Sequence, residues 1–375
     1  MFNDELEQLT ELSRQLLDGC RKAAPDGTVL FTPDGLGNYD ALWLRDFAYM
    51  AEYCGDLMGA RDMESCIEFA LSGQREDGWL PDRVEAGGEP VYAAGAKGAP
   101  VGEANLDNTP FLVFAVTSWL ALPDAGNPET GEPDSCRLRR WAESLERGMD
   151  CIPLSPEGLV WNDPEKPHSP YGFTDTVCKT GRLFFESLLY WRACRQLSAL
   201  LNRFGLPRGE EYAARAGAVE QSLSLLYDGE SGLYFAAELD CRQPDVWGAA
   251  YLLYIGFPVE PRVEEGLRRW LLENRSRYLY HGQVCHLPDG ACWEKLLIDV
   301  KPGEYQNGAY WATASGWVWD ALNQSDPEAA GALLHDLLED FRKGGVCECV
   351  NRNYRKLPEF VVSATNIRGA LLRRG

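Results

Sequence analysis

The stretch YDALWLRDF, residues 39–47, organises the rest of the chain. It follows a glycine-rich turn and opens an apolar helix, so Trp43, Arg45 and Asp46 stand together at the helix entrance. A carboxylate at a helix N-terminus is favoured by the free N–H groups and the helix dipole, which by itself accounts for Asp46. An indole, a guanidinium and a carboxylate at one place also suit the binding of a sugar. This second interpretation is favoured because similar groupings recur along the chain.

Composition excludes several classes of function. With a formal net charge of -21, the chain lacks the basic surface that a phosphate backbone requires, which excludes a nucleic-acid or acidic-membrane partner. The N-terminus has no secretory signal, and no run of about 18 apolar residues occurs, so we expect a cytoplasmic protein. Its twelve cysteines have no framework-like spacing and mostly fall in predicted helices, which predicts at most one disulfide.

One group of residues has a spacing that resembles a metal site: His281, Cys285, His286 and Cys292. No close Cys-x-x-Cys pair accompanies it, so these are interpreted as ordinary loop residues. We therefore predict neither a metal nor a cofactor. The oligomeric state stays open.

The hydrophobic pattern predicts twelve helices that alternate between two kinds. Amphipathic helices, typical of an outer layer, are predicted at about 2–20, 60–73, 134–150, 209–226, 260–274 and 326–342. Helices that are apolar on all sides, typical of an inner layer, are predicted at about 41–58, 111–122, 176–204, 244–256, 308–323 and 358–373. No linker or low-complexity run divides the chain, so residues 1–375 are predicted to form a single catalytic domain.

The loops repeat with the helices. Each loop from an outer to an inner helix is long, and most contain an acidic residue beside glycine, a typical hairpin signal: 33–40, 76–82, 156–163, 230–235 and 288–294, with a degenerate sixth at 344–353. The inner-to-outer connections, such as 58–61 and 257–260, are very short and force neighbouring helices antiparallel. The sequence therefore predicts an all-α (α/α)6 toroid with small β-hairpins in the loops of one rim.

In that toroid, six carboxylates fall at or near the starts of the inner helices: Asp46, Asp107, Asp175, Asp245, Glu304 and Glu359. Helix capping alone explains at least three of them. Their neighbours on the rim are aromatic rings, amides and cations, namely Trp43, Arg45, Asn105, Asn108, Trp161, Tyr171, Lys179, Trp247, Trp293, Gln306, Asn307, Tyr310 and Trp311. Rings that stack on sugars and polar groups that bind hydroxyls predict a carbohydrate pocket.

Four segments resemble the six-hairpin glycosidases, especially glucoamylase-like, trehalase-like and amylo-1,6-glucosidase-like enzymes. They are WLRD at 43–46, YGFTDTVCKTG at 171–181, YQNGAYW at 305–311 and KLPEF at 356–360. Each segment is short, but they occur in the family's order and roughly its spacing, and the resemblance extends over most of the chain. The resemblance implies a glycoside hydrolase that inverts configuration and acts from the chain end of a short oligosaccharide or glycoside.

The resemblance also implies roles for individual residues. It assigns Asp175 as general acid and Glu359 as general base, with Arg45 and Asp46 holding the sugar in the first subsite. Two departures weaken the second assignment: Gln306 replaces a histidine of the family pattern, and VVSATN at 361–366 replaces the Phe-Asp-Gly that often follows the base. Glu304 and Glu348 are therefore alternatives to Glu359.

Three other functions remain possible from the sequence. A sugar 2-epimerase would need two pocket histidines, for which His168, His281 and His286 are the candidates. A uronyl hydrolase or a lyase acting on acidic sugars would need cations, available as Arg83, Lys179, Lys295, Lys301, Arg352 and Lys356. A glycan-binding barrel without catalysis would show no pair of carboxylates facing one pocket.

Overall fold

The computed structural model of the protein describes residues 2–96, 98–125 and 135–374. In chain order, the helices of this part are α1 (Asn3–Gly19), α2 (Leu44–Met58), α3 (Ala60–Ser72), α4 (Asn108–Leu120), α5 (Ser135–Asp150), α6 (Phe184–Arg203), α7 (Gly209–Ser222), α8 (Val246–Ile255), α9 (Pro261–Glu273), α10 (Arg275–Tyr278), α11 (Ser315–Asn323), α12 (Pro327–Gly344) and α13 (Val361–Arg374). Apart from the single turn α10, they match the twelve predicted helices. Residue 134, predicted to begin the third outer helix, lies outside the described residues.

Six of these helices form a closed inner ring. Helix α2 packs against α4, and the contacts continue through α6, α8, α11 and α13 and return to α2. The remaining long helices lie outside this ring: α1 packs on α13 and α2, α3 on α2 and α4, α5 on α4, α7 on α6, α9 on α8 and α11, and α12 on α11. The predicted (α/α)6 toroid is confirmed.

The burial of each layer follows its sequence pattern. Along the inner helix α8, every residue from Val246 to Tyr254 is buried, because the helix is surrounded by neighbours on all sides. The outer helix α5 instead buries a stripe that includes Leu138, Trp141, Leu145 and Met149, as its period predicts. Each large apolar side chain removed from water in this way contributes about 1.5–3 kcal/mol to stability.

Short antiparallel hairpins occupy the loops. The strands are β1 (Arg21–Ala23), β2 (Val29–Phe31), β3 (Ala41–Trp43), β4 (Arg83–Glu85), β5 (Pro90–Val91), β6 (Gly95–Ala96), β7 (Ala99–Pro100), β8 (Trp161–Asn162), β9 (Gly181–Arg182), β10 (Tyr227–Asp228), β11 (Leu233–Tyr234), β12 (Leu279–Tyr280), β13 (Gln283–Val284), β14 (Cys347–Asn351) and β15 (Tyr354–Pro358). Strands β3, β4 and β5 form a three-stranded sheet, and the others pair two by two. Every pairing among the described strands is antiparallel.

Three of the predicted hairpin loops, at 33–40, 76–82 and 288–294, contain no strand. Residues 33–40 contain no strand, because the Asp34 carboxylate accepts hydrogen bonds from the backbone N–H groups of Leu36, Asn38 and Tyr39 and so wraps the chain around itself. The turn at 288–290 is a short 3₁₀ segment in which Asp289 has φ +61°. By contrast, the turns at 230–235 and 344–353 lie in the hairpins β10–β11 and β14–β15.

Two inner helices begin later than predicted. Helix α6 begins at Phe184 rather than at 176, and α11 begins at Ser315 rather than at 308. In both cases the preceding N–H groups bond to neighbouring loops: Cys178 donates to the Lys295 carbonyl, and Trp311 donates to the Val284 carbonyl. Tertiary hydrogen bonds therefore hold these segments extended. Among the described helices, none is long and apolar enough to cross a membrane.

Candidate active site

A cavity lies inside the ring, where the long loops meet the start of α2. Its volume is small, about 50 Å³, which is below the usual range for ligand sites. The residues that line it are Pro33, Tyr39, Trp43, Arg45, Asp46, Gly172, Phe173, Asp175, Tyr305, Glu348 and Phe360. It therefore combines three carboxyl groups, one guanidinium and five aromatic rings around one small space.

Trp43 and Asp46 reach the cavity because β3 runs directly into α2. Strand β3 pairs with β4, which fixes Trp43 opposite Arg83, and the first turn of α2 then carries Asp46 inward. Burial raises the pKa of Asp46 to about 8, and the Glu348 charge adds to this shift, whereas Arg45 opposes it. Within the described residues, Asp46 Oδ1 and the Trp43 indole N–H are buried and find no hydrogen-bond partner. Both atoms are thus available to a ligand.

Arg45 is buried and holds three parts of the rim together. Its guanidinium forms ion pairs with Asp82 at 2.6 Å and with Asp107 at 3.0 Å. Asp107 also accepts a hydrogen bond from the backbone N–H of Gly172 at 2.9 Å. A Cβ atom at position 172 would overlap the Arg45 side chain, so only glycine fits there. Arg45 therefore fixes the start of the loop that carries Asp175.

Asp175 follows a 3₁₀ turn at Gly172–Thr174 and is partly accessible through the cavity. Gln306 clamps this turn: its Oε1 accepts hydrogen bonds from the Thr176 N–H and hydroxyl, both at 2.8 Å, and its Nε2 donates to the Gly172 carbonyl at 2.9 Å. Burial raises the pKa of Asp175 to about 7; the charges of Asp82 and Asp107 also raise it, whereas Arg45 and Gln306 lower it. A carboxyl with this pKa holds a proton for much of the neutral range.

Glu348 lies on β14 and is buried. The Tyr39 hydroxyl donates a hydrogen bond to its Oε1 at 2.7 Å, and Lys356 Nζ lies 3.2 Å from its Oε2. Burial raises the pKa of Glu348, against the opposing effects of Lys356 and of the Tyr39 hydrogen bond. Glu348 is thus the cavity carboxylate with a cation directly beside it.

Glu359, the predicted base, is placed differently. Its side chain is exposed and it is not among the residues that line the cavity. Helix α13 begins two residues later, at Val361, and Glu359 itself has φ +62°, in the left-handed region. The prediction assumed that Glu359 stands in the first turn of α13, but β15 extends to Pro358 and the helix begins only at Val361, so Glu359 lies between them with its carboxylate beside Gly35.

Several other predicted site residues do not line the cavity but bond to neighbouring rim residues. Asn105 donates to Asp82, Asn108 donates to the Leu80 carbonyl, and Asn307 accepts from the Trp293 N–H. The remaining buried members also have internal partners: Tyr171 with Tyr49, Lys179 with Glu186, Trp247 with His286, Trp293 with the Gln306 carbonyl, and Trp311 with the Tyr305 carbonyl. Trp161, Glu304 and Tyr310 are half-buried in rim loops and are not among the cavity-lining residues.

Four of the predicted site residues therefore meet in one cavity: Trp43, Arg45, Asp46 and Asp175. Sequence reasoning did not select Tyr39, Phe173, Tyr305 and Phe360, and it gave Glu348 only as an alternative. Tyr39 heads the opening stretch, and Tyr305 begins YQNGAYW, so both stood inside motifs already noted. The signal for Glu348 was an acidic residue in an alternating apolar strand, CECV at 347–350.

Of the residues that rival functions would need, the histidines do not reach the cavity, whereas two candidate cations, Arg83 and Lys356, contact residues that line it. The part of its lining that the structure describes includes no histidine, and His286 stacks on Trp247 instead, with ring centroids 3.9 Å apart. Of the candidate cations, Arg83 stacks on Trp43 and forms ion pairs with Asp82 and Glu85. No group of three or more His, Cys, Asp or Glu side chains among the described residues is placed to hold a metal ion.

Comparison with known proteins supports the fold. No family model matches the chain, and no curated protein matches it in sequence. Among solved structures, the chain is similar to GH63 mannosylglycerate hydrolase from Thermus thermophilus in complex with glucose, with a TM-score of 0.68, 18% identity and coverage of 96% of this chain and 99% of the other.

Two further structures are similar. A rhamnosidase from Klebsiella oxytoca with rhamnose bound gives a TM-score of 0.67 at 14% identity, over 100% of this chain and 64% of the other. Glucoamylase from Saccharomycopsis fibuligera gives a TM-score of 0.61 at 15% identity, over 98% of this chain and 94% of the other. These comparisons show that the chain has the six-hairpin (α/α)6 fold of these glycosidases.

Proposed function

We propose that the protein is an inverting, exo-acting glycoside hydrolase for a short oligosaccharide or glycoside, with Asp175 as general acid and Glu348 as general base. Asp175 and Glu348 line one enclosed cavity together with aromatic rings, and this observation carries the proposal. A glycosidic bond breaks through an oxocarbenium-like state that needs one protonated and one ionised carboxyl group. The whole described domain serves this reaction, which needs no cofactor.

The surroundings of Asp175 suit a general acid. It must hold a proton until the leaving oxygen takes it, and a pKa of about 7 allows this near neutral pH. The Gln306 clamp fixes the turn from both sides, so the carboxyl keeps one position relative to the sugar. Proton transfer from a positioned acid of this kind typically contributes about 10²–10⁴-fold to the rate.

The surroundings of Glu348 suit a general base. Lys356 and the Tyr39 hydroxyl each contact one carboxylate oxygen and favour the ionised form. In an inverting reaction this carboxylate activates the water that attacks the sugar from the face opposite the acid, which requires a separation of about 6.5–9.5 Å between the two carboxyl groups. We propose Glu348 in place of Glu359 because Glu359 is exposed to solvent.

The proposed first subsite consists of Trp43, Asp46 and the rings of Phe173 and Phe360. The partnerless Asp46 Oδ1 and Trp43 N–H supply an acceptor and a donor for sugar hydroxyls. The cavity is small, which favours a single terminal sugar unit over an internal segment of a chain.

The similar structures agree with a carbohydrate ligand of this size. These proteins were crystallised in complex with glucose, with rhamnose or with Tris. Tris carries hydroxyl groups and an ammonium, and the partnerless Asp46 Oδ1 and the Glu348 carboxylate are acceptors for both. We expect Tris to inhibit this protein competitively. A cytoplasmic location is also proposed, supported by twelve free thiols.

The test is a screen of the purified protein against aryl glycosides and disaccharides, followed by three variants. Asp175→Asn and Glu348→Gln should each lower kcat by about 10²-fold or more. Glu359→Gln is the matched control, because it removes a nearby exposed carboxylate, and it should keep most of the activity. Proton NMR of the first product should show inversion of the anomeric carbon.

Two results would contradict the proposal. If Glu348→Gln keeps its kcat and Glu359→Gln loses it, Glu359 is the base and the cavity assignment is wrong. If the wild-type protein cleaves no glycoside but binds sugars by calorimetry, it is a glycan-binding barrel.

A further inference from the structure

We propose that Lys356 is a positioning residue that keeps Glu348 ionised beside two carboxyl groups that hold their protons. The proposal rests on the proposed function, in which Glu348 is the general base. It concerns the division of charge in the cavity: three carboxyl groups face one small space, and the reaction needs one of them ionised and one protonated.

The geometry of the hairpin β14–β15 places Lys356 against Glu348. Cys349, the residue after Glu348, pairs across the hairpin with Lys356. The Lys356 ammonium lies 3.2 Å from Glu348 Oε2 and 3.2 Å from the centroid of the Tyr305 ring, directly over its face. A ring face attracts a cation, so Tyr305 holds the ammonium where it meets the carboxylate.

Arg45, the other cation of the cavity, is paired with carboxylates outside it. Arg45 forms its ion pairs with Asp82 and Asp107, two carboxylates behind the cavity wall. Burial outweighs the opposing charge of Arg45 at Asp46 and Asp175 and raises their pKa values to about 8 and about 7. Glu348 is also buried, but it has the ammonium of Lys356 in direct contact, and an opposite charge at that distance favours the ionised form of a carboxyl group.

The other groups around Glu348 act in both directions. The Tyr39 hydroxyl donates to Glu348 and lowers its pKa, whereas the charge of Asp34 raises it. Each charge on Glu348 or Asp46 in turn disfavours charge on the other. The titratable groups that face Glu348 are Asp34, Tyr39, Asp46, Tyr305, Cys349, Tyr354 and Lys356. Of these, Lys356 is the one that carries a positive charge.

The sign of the effect follows from the role of a base. A general base works when it is ionised, so the acidic limb of kcat/KM against pH reports its pKa in the free enzyme. Removal of the Lys356 ammonium raises that pKa, because burial and Asp34 are then opposed by the Tyr39 hydrogen bond alone. The acidic limb should therefore move to higher pH.

The experiment compares pH profiles of kcat/KM for wild type, Lys356→Met and Lys356→Arg, using a glycoside that the wild type cleaves. Lys356→Met should move the acidic limb upward by about one pH unit or more, with kcat at the optimum changed only a few-fold. Lys356→Arg restores the charge and should return the limb toward the wild-type position. The matched control is Lys343→Met, which removes an exposed ammonium paired with Glu339 at 2.9 Å on the outer helix α12 and should leave the profile unchanged.

Thermal unfolding of each variant checks that it is folded. Because Lys356 is partly exposed, Lys356→Met should fold normally. An unchanged acidic limb in Lys356→Met, with Glu348→Gln inactive, would overturn the role of Lys356 and leave the proposed function intact. Loss of turnover at every pH in Lys356→Met and in Lys356→Arg would also overturn it, because Lys356 would then act on the substrate. If wild type cleaves no glycoside, the proposed function fails and this inference fails with it.

Discussion

Replacing Gln306 by alanine removes the clamp on the turn that carries Asp175. The side-chain amide makes three hydrogen bonds to this turn, two to Thr176 and one to the Gly172 carbonyl, and the residue is 1% exposed. Each bond contributes about 1 kcal/mol net, so Gln306→Ala should lower the free energy of unfolding by about 3 kcal/mol. With an unfolding entropy of about 2.1 cal/mol/K for each of 375 residues, that loss lowers Tm by roughly 4 °C.

Catalysis should fall further than stability alone explains. Without the clamp, the turn can shift relative to the sugar, and a misplacement of about 1 Å at a reacting group costs about 10²-fold in rate. We therefore expect kcat of Gln306→Ala to fall by about 10²-fold at a temperature where the variant is fully folded. The assays are differential scanning calorimetry and steady-state kinetics on the same preparation.

Asn307 provides the matched control. It is the next residue, is also a buried amide, and makes hydrogen bonds with the Trp293 N–H and the Val300 carbonyl, away from the Asp175 turn. Asn307→Ala should lower Tm by a few degrees and leave kcat within a few-fold of wild type. The reasoning is refuted if both variants lose the same fraction of kcat, or if Gln306→Ala unfolds at the wild-type temperature.

Two further predictions concern ionisation and thiols. Burial raises the pKa of Asp46 from 3.8 to about 8, so the folded state holds a proton that the unfolded chain releases, and wild-type stability falls as pH rises from about 4 to 8. Asp46→Asn is neutral in both states, so its Tm should exceed that of wild type most at pH 8 and converge with it below pH 4; an equal difference at both pH values would contradict this. All twelve cysteines are free in the structure, and burial raises the pKa of several thiols, including Cys20 and Cys54, to about 12. Thiol titration should therefore find few reactive groups in the native protein and about twelve after denaturation without reductant, and a count far below twelve would indicate disulfides.

The helical architecture was predictable because it depends on local periodicity. A helix surrounded by neighbours must be apolar on all sides, as α8 is, and an outer helix needs only a stripe, as in α5. Short inner-to-outer connections then force the antiparallel order. The position of Trp43, Arg45 and Asp46 at the cavity was predictable too. They lie where β3 runs into α2, and the first turn of an inner helix lies at the rim.

The tertiary structure decided which acidic side chains share the cavity. Glu348 lies on β14 with its side chain buried at the cavity, whereas Glu359 follows the end of β15 and is exposed. A shift of one residue in strand register would turn Glu348 to the opposite face, and the pairing that fixes this register is tertiary. The boundary of α6 was likewise set by hydrogen bonds from distant loops, which left Asp175 in a clamped turn rather than on the helix. The pKa values of Asp46 and Asp175 depend on burial and on charges from several elements, and no local pattern in the sequence records those distances.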